Sequence, residues 1–248
     1  YNITCKVMFK ESGGKQMKTL STKVVIVGSG SAGISAGYDL YQKKVPFILV
    51  ERGDKVGGAG KFGAHGLFAI NSKQQQAKDV KYGYQEAFEG LTEYNHYFIN
   101  GELLARFLKK SGTNIERMSQ MGLPVTLEQS EQKAHLNDPL VYHKFNNFKS
   151  KMKSWDNLTA KFAAAGNQVL TETAAVDLEY DNGLKAVIVE NNQDEKIRIK
   201  AKKVILADGG YCGNKDMMAQ KYSDAKMLLN LGERKADGTG IRLAKALG

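Results

Sequence analysis

Gly28, Gly30 and Gly33 form a Gly-x-Gly-x-x-Gly series directly after the β-branched run Val24-Val25-Ile26-Val27. That spacing suits the binding of a diphosphate. The first glycine allows a tight turn, the second lets the backbone approach phosphate oxygens, and the third lets a helix pack close to its strand. The stretch Gly28, Ser29, Gly30, Ser31, Ala32 and Gly33 then aims backbone N–H groups and the positive end of a helix at the anion. A glycine series alone is weak, so its setting decides. Lys23–Val27 reads as a short buried parallel strand. Ser31 to about Lys43 reads as a helix and Pro46–Val50 as a second strand, which ends in Glu51. An acid about 20 residues past the last glycine is placed to take a ribose hydroxyl. A glycine-rich turn without ligand is the competing reading; these parts in register favour a dinucleotide.

A second glycine-rich stretch follows Glu51 and runs through Gly66. It permits close backbone approach to a ligand, or it is a flexible loop. Its place after the ribose acid favours the ligand. From 72 to 122 the pattern is mainly helical, as Ala77–Leu91, Gly101–Lys110 and Asn114–Met121, with Leu103, Leu104, Phe107 and Leu108 expected in the core. Residues 123–153 read as polar loop and Trp155–Ala165 as a helix. Then the period becomes that of strands: Gln168–Leu170, Ala174–Tyr180, the hairpin turn Asp181-Asn182-Gly183, Leu184–Glu190, a turn at Asn191–Asp194, and Lys196–Lys200. Lys203–Ala207 is a buried strand leading to Asp208-Gly209, Asn214–Tyr222 is helical, and a last helix opens after Ala236-Asp237-Gly238-Thr239-Gly240.

The expected class is therefore α/β: a Rossmann-like domain with a three-stranded β-meander and a helical insertion. Residues 1–20 are expected to be an extension, disordered or non-native, with Met17 a natural start and Glu11-Ser12-Gly13-Gly14 a translated purine tract. Residues 21–72 form the first part of the dinucleotide domain, 73–153 the insertion, and 154–248 the second part.

Bulk properties narrow the function. Lys and Arg number 36 against 26 acidic residues, a net charge of +10. That suits a polyanionic ligand or an anionic membrane surface, no basic run with interleaved aromatics supports nucleic acid, and a solvated Lys-rich surface is the favoured reading. Cys5 and Cys212 form no C-x-x-C pair, so neither a zinc site nor a disulfide framework is implied, and Cys212 is expected to be a buried small residue. His96, His135 and His143 show no metal spacing. No apolar run is long enough to span a membrane and no secretory signal is visible, so a cytoplasmic setting is expected. Asn2-Ile3-Thr4 and Asn157-Leu158-Thr159 match a glycosylation pattern by chance.

Four stretches in order, VVIVGSGSAG, VERGDKVGGAGKFGAHGLFA, KKVILADGGYCGN and ADGTGIRLAKALG, resemble the flavoprotein family of soluble fumarate reductases, succinate dehydrogenase flavoprotein subunits, urocanate reductase and ketosteroid dehydrogenases. The resemblance implies FAD. Gly28 to Gly33 would hold its diphosphate and Glu51 its adenosine ribose, with Arg52 beside it. Gly57, Gly58, Ala59 and Gly60 would wrap the diphosphate and ribityl region, and Lys61 to Gly66, including His65, would lie along the isoalloxazine. Ala175 corresponds to backbone that meets adenine, Ala207-Asp208-Gly209 to an Ala-Thr-Gly stretch, and Thr239-Gly240 to a late Asp-Gly near the flavin.

Three departures from the family pattern matter. Ala59 stands where covalent members carry His, which implies non-covalent FAD. Asp208 replaces a small hydroxyl residue, and its charge would repel a diphosphate unless Lys or Arg offsets it. Thr239 replaces a carboxylate. His65 stands where Gly is usual, and would tune the flavin, donate a proton, or simply hydrogen-bond to backbone.

The family's substrate residues fall after the last helix here, so catalytic residues cannot be placed. The expected function is the FAD-binding part of an oxidoreductase acting on a CH–CH bond of an unsaturated carboxylate such as fumarate. The implied partners are that carboxylate, an electron donor, and a missing C-terminal half or second chain. The alternatives are a flavin-binding module without catalysis of its own, and a NAD-binding dehydrogenase.

Overall fold

The computed structural model describes residues 17–130, 138–230, 232 and 235–247. Cys5, His135, the Asn2-Ile3-Thr4 pattern and the Glu11–Gly14 tract lie outside them.

The centre is a parallel sheet built from the most apolar tetrapeptides of the chain. Strand β1 (Lys18–Ser21) precedes β2 (Val24–Val27), helix α1 (Ser31–Gln42) and β3 (Phe47–Val50). Every residue of β2 and β3 is buried. Such strands belong inside a parallel sheet, covered on both faces. With β7 (Gln168–Leu170) and β11 (Lys203–Leu206) they form a four-stranded sheet in the order β11-β2-β3-β7. Its pairings are parallel, with Val24 opposite Phe47 and Lys203.

Alternate side chains of these strands face different layers. Val24, Ile26, Phe47 and Leu49 pack with Ile34 and Tyr38 of α1 and with Trp155, Leu158 and Phe162 of α6 (Phe148–Ala164). Val25, Val27, Ile48 and Val50 pack against an antiparallel layer through Ala175, Val187, Val189 and Ile199. That layer is the expected meander: β8 (Thr173–Tyr180), β9 (Leu184–Asn191) and β10 (Lys196–Lys200). The β8–β9 turn carries positive φ at Asn182 (50°) and Gly183 (128°), as such a hairpin requires.

Strand β1 adds to the meander's edge, parallel to β10. The expected extension through residue 20 is thus corrected at its end: Lys18–Leu20 are paired. One half-buried Leu among polar neighbours gave no strand period.

The helical and loop readings between 73 and 153 are also corrected. Helix α2 (Gly58–Phe62) and β4 (Gly66–Phe68) come first, then α3 (Lys73–Ala77) and α4 (Tyr84–Tyr94), so a single helix over Ala77–Leu91 does not form. Asp79 at φ 51° breaks it, and Glu86 caps Gly83 to restart it. Helix α5 (Gly101–Gln120) is one continuous helix rather than two. Gly112 does not interrupt it; a Cβ there would lie 2.5 Å from the Ile70 carbonyl oxygen, so the glycine lets α5 approach that backbone. Leu104 and Leu108 are core, but Leu103 and Phe107 are exposed, Phe107 at the cluster's edge with its ring 6.2 Å from that of Phe68.

Within the expected loop, β5 (Val125–Glu128) and β6 (Tyr142–Phe145) join β4 in an antiparallel sheet ordered β4-β6-β5. Val125, Leu127, His143 and Phe145 are the buried alternate residues. His143 is fully enclosed. Nδ1 faces the Val141 carbonyl at 3.2 Å, which can only accept, so Nδ1 carries the proton of the neutral ring and Nε2 accepts from the Ser72 hydroxyl at 2.8 Å. Burial lowers the pKa of this neutral imidazole.

The chain ends through α7 (Lys215–Lys221), a 3-10 turn at Ala225–Met227 and α8 (Thr239–Lys245). Cys212, expected to be buried, is exposed in the turn before α7. Among the described residues no helix is long and apolar enough to cross a membrane.

Candidate functional site

The two glycine loops meet at the carboxyl ends of β2 and β3. Gly28 adopts φ 93°, and a Cβ on it would lie 2.6 Å from the Ala207 carbonyl oxygen. A Cβ on Gly33 would sit 1.9 Å from the Gly28 carbonyl oxygen. Both glycines are demanded by the protein's own packing. Gly30 is different: nothing lies within 4 Å of the position its Cβ would take. It stands at the N-cap of α1, where no side chain caps the helix. Across from it, Gly58 at φ 49° would bring a Cβ 3.5 Å from the Gly30 Cα. The helix N-terminus at Gly30 is thus open on the side its Cβ would take, with the bare backbone of Gly58 packed beside it, and a side chain on Gly30 would enter that space.

Glu51 and Ser29 tie the loops together. Glu51 Oε2 accepts from the Ser29 N–H at 3.0 Å and from the Ser29 hydroxyl, and Oε1 accepts from the Gly53 N–H at 2.7 Å. The buried Ser29 hydroxyl in turn accepts from the Gly57 N–H at 2.9 Å. A carboxylate oxygen accepts two hydrogen bonds, so Oε1 keeps capacity for a hydroxyl donor. Ala175 follows on β8, whose first residue Thr173 donates its N–H to the Glu51 carbonyl at 2.8 Å.

The third wall comes from the far end of the chain. Ala207-Asp208-Gly209 crosses over Gly28, and the Asp208 carboxylate accepts from the Gly240 N–H at 2.6 Å. The unopposed charge expected at Asp208 is thus met by the first turn of α8 and by the nearby Arg52 guanidinium. Thr239 is itself held by a carboxylate two residues earlier. Asp237 accepts from the Thr239 N–H and hydroxyl, and pairs with both terminal nitrogens of Arg52 at 2.8 Å. That pairing holds the Asp237 carboxyl far below the usual carboxylate range and raises Arg52.

The remaining expected residues fall nearer the third sheet. Gly60 is a glycine because a Cβ would meet the Ser31 hydroxyl at 2.0 Å, and Gly66 because one would meet the Tyr142 ring at 2.6 Å. Ala59 lies in α2 between the two loops. His65 is exposed; its carbonyl accepts from the Phe145 N–H, while its imidazole has no hydrogen-bond partner among the described residues. Sequence reasoning missed the residues that brace the loops from α6. Trp155 Nε1 donates to the Ser29 carbonyl at 3.5 Å, Asp156 pairs with the buried Lys61, and Lys151 donates to the Ala64 carbonyl. Only the single Trp offered any signal.

The open backbone at the N-terminus of α1 and the remaining acceptor capacity of Glu51 Oε1 fit a dinucleotide's diphosphate and ribose hydroxyl. The profile of the FAD-binding domain matches residues 23–248. The chain belongs to the FAD-binding domain family. It is 27% identical over 230 residues to a vinyl phenol reductase of Lactiplantibacillus plantarum, covering 90% of this chain and 45% of that protein. It is also 27% identical over 239 residues to a fumarate reductase (cytochrome) of Shewanella frigidimarina, covering 91% and 39%. The open conformation of a flavocytochrome c3 fumarate reductase superposes with a TM-score of 0.80 at 23% identity, over 92% of this chain and 41% of that one. The chain spans less than half the length of these relatives.

Proposed function

We propose that this chain binds FAD without a covalent bond and forms the cofactor half of an oxidoreductase that reduces a carbon–carbon double bond of an unsaturated carboxylate such as fumarate. The open space beside Gly30 at the N-terminus of α1, with the Gly58 backbone packed next to that residue, carries the cofactor reading. The fold is read as a Rossmann-like sheet with its meander. Gly28, Ser29, Gly30, Ser31, Ala32 and Gly33 face the diphosphate with the N–H groups of the first turn of α1. Glu51 takes the adenosine ribose, Ala175 the adenine, and Gly57 to Gly60 the ribityl chain. Ala207 to Gly209 and Thr239-Gly240 close the cradle, and Lys61 to Gly66 border the isoalloxazine. Bound FAD supplies hydride-transfer chemistry. Arg52 and Asp237 join the second glycine loop to the start of α8, which keeps the cradle closed on that side.

The substrate class rests on the relatives, whose names describe fumarate and vinyl phenol reduction. A setting in the cytoplasm and a reduced electron carrier as donor complete the proposal. A second reading is a flavin-binding module without turnover of its own. Met227, Leu228 and Leu229 stand exposed beyond α7, an apolar surface on which a further part would pack.

A visible spectrum and cofactor mass test the first claim. Purified chain should be yellow, with a band near ~450 nm as expected of a flavin, and should release intact FAD on denaturation. A colourless protein that binds NAD would sink it. Fumarate-dependent oxidation of reduced viologen by this chain alone would eliminate the module reading, and the same assay with a vinyl phenol would separate the substrate classes.

A further inference from the structure

Helix α6 belongs to none of the recognisable motifs, yet it touches both glycine loops. Its most unusual contact is Lys151. That side chain is 3% exposed, and its ammonium lies 5.1 Å from the Phe145 ring centre and 4.9 Å from that of Phe148. Its hydrogen bonds go to backbone: the Ala64 carbonyl, and the Gly60 carbonyl at 3.5 Å. No carboxylate among the described residues pairs with it, and burial lowers its pKa. Taking an ammonium out of water is unfavourable, and an apolar side chain of similar size would pack at lower cost. The carbonyl tether is what the lysine adds.

The tether also fixes a donor. In a trans peptide the C=O and N–H point in opposite directions. Holding the Ala64 oxygen toward α6 therefore turns the His65 N–H away from it. That N–H finds no acceptor among the described residues.

We propose that Lys151 is a positioning residue for the cofactor: by gripping the Gly60 and Ala64 carbonyls it sets the loop of residues 60–66 and presents the His65 N–H to the flavin ring. The inference rests on the FAD reading above and on the placement of that loop beside the isoalloxazine. Its effect falls on the flavin end of the cofactor and not on the adenosine end, which Glu51 and Ser29 hold.

The test compares FAD with ADP, which carries the adenosine and diphosphate alone. Replacing Lys151→Met should weaken FAD binding to the full chain about tenfold or more, the worth of a charged hydrogen bond, while ADP binding stays within about twofold. The absorbance band of residual bound flavin should shift, and Lys151→Arg, which can still donate to both carbonyls, should restore much of the FAD affinity. Equal losses for FAD and ADP mean a general structural role and overturn the inference, as does an unchanged FAD affinity. Amide exchange on the unsubstituted chain needs no variant: FAD should slow exchange at His65 and ADP should not. Equal protection by both, or none by FAD, overturns it. A parent chain that binds no FAD at all would remove the cofactor reading; one that binds FAD alongside an unaffected Lys151→Met would remove only this inference.

Discussion

The junction at Glu51 and the brace from α6 both fix the glycine loops, but they do so over different distances along the chain. Glu51 reaches Ser29 across 22 residues, and Ser29 reaches Gly57 across 28. Trp155 reaches Ser29 across 126, and Lys151 reaches Ala64 across 87. The first is a motif whose spacing follows from strand, turn and helix lengths. The second is a meeting of distant elements that local spacing cannot encode. The difference teaches how the loops are specified: their contacts with each other follow local spacing, and their bracing comes from tertiary packing.

Substitutions in the two regions break or sharpen that contrast. The largest effect is expected from Gly33→Val, whose Cβ has the Gly28 carbonyl oxygen 1.9 Å away. Backbone cannot yield there, and denaturant titration should show a loss of about 3 kcal/mol or more. If the variant keeps parental stability, the loop does not close as described. Ser29→Ala should cost about 1–3 kcal/mol, because Glu51 and the Gly57 N–H each lose a buried partner. Gly30→Ala should leave stability within about 0.5 kcal/mol, since open space and an ordinary φ of −64° surround it. It should nonetheless weaken FAD, because its methyl group enters the cradle. Isothermal titration beside thermal melts would separate the two effects, and a destabilised Gly30→Ala would show the space to be filled by protein.

Outside both regions, in the third sheet, His143 links stability to pH. Its folded pKa lies below the ordinary value of 6.5. Below that value the unfolded chain takes a proton that the folded chain refuses, so the stabilisation is complete above about pH 6.5 and drains away as pH falls through the lowered folded value. His143→Gln should flatten that part of the stability profile, and an unchanged slope would assign it to other groups. The smallest effect is expected from Leu103→Ala, within about 0.5 kcal/mol, against roughly 2–5 kcal/mol for Leu104→Ala one position away in the core.

The readable parts of this chain were those with a strong period or a fixed spacing. β2, α1, β3 and the meander with its Asp-Asn-Gly turn follow from apolar runs and turn chemistry. The third sheet did not, because β6 places a buried His among Lys and Tyr, and its partner strand lies 14 or more residues away across a polar segment. Helix α5 read as two because Gly112 looks like a breaker in sequence and is a contact surface in space. Phe107 and Leu103 looked like core because helical spacing gives a face but not its partner. Within the site, Glu51 and the glycines were legible, whereas Asp237 holding Thr239 and Arg52, and Asp208 serving α8, required the far end of the chain to be in place.

That last dependence has a consequence in time. Arg52 and Asp237 are separated by 185 residues. At a synthesis rate of ~5–20 residues per second, the second partner leaves the ribosome roughly 10–40 s after the first. Throughout that interval both glycine loops exist without their third wall, so FAD would be captured late. A nascent chain stalled after the meander should retain little of it.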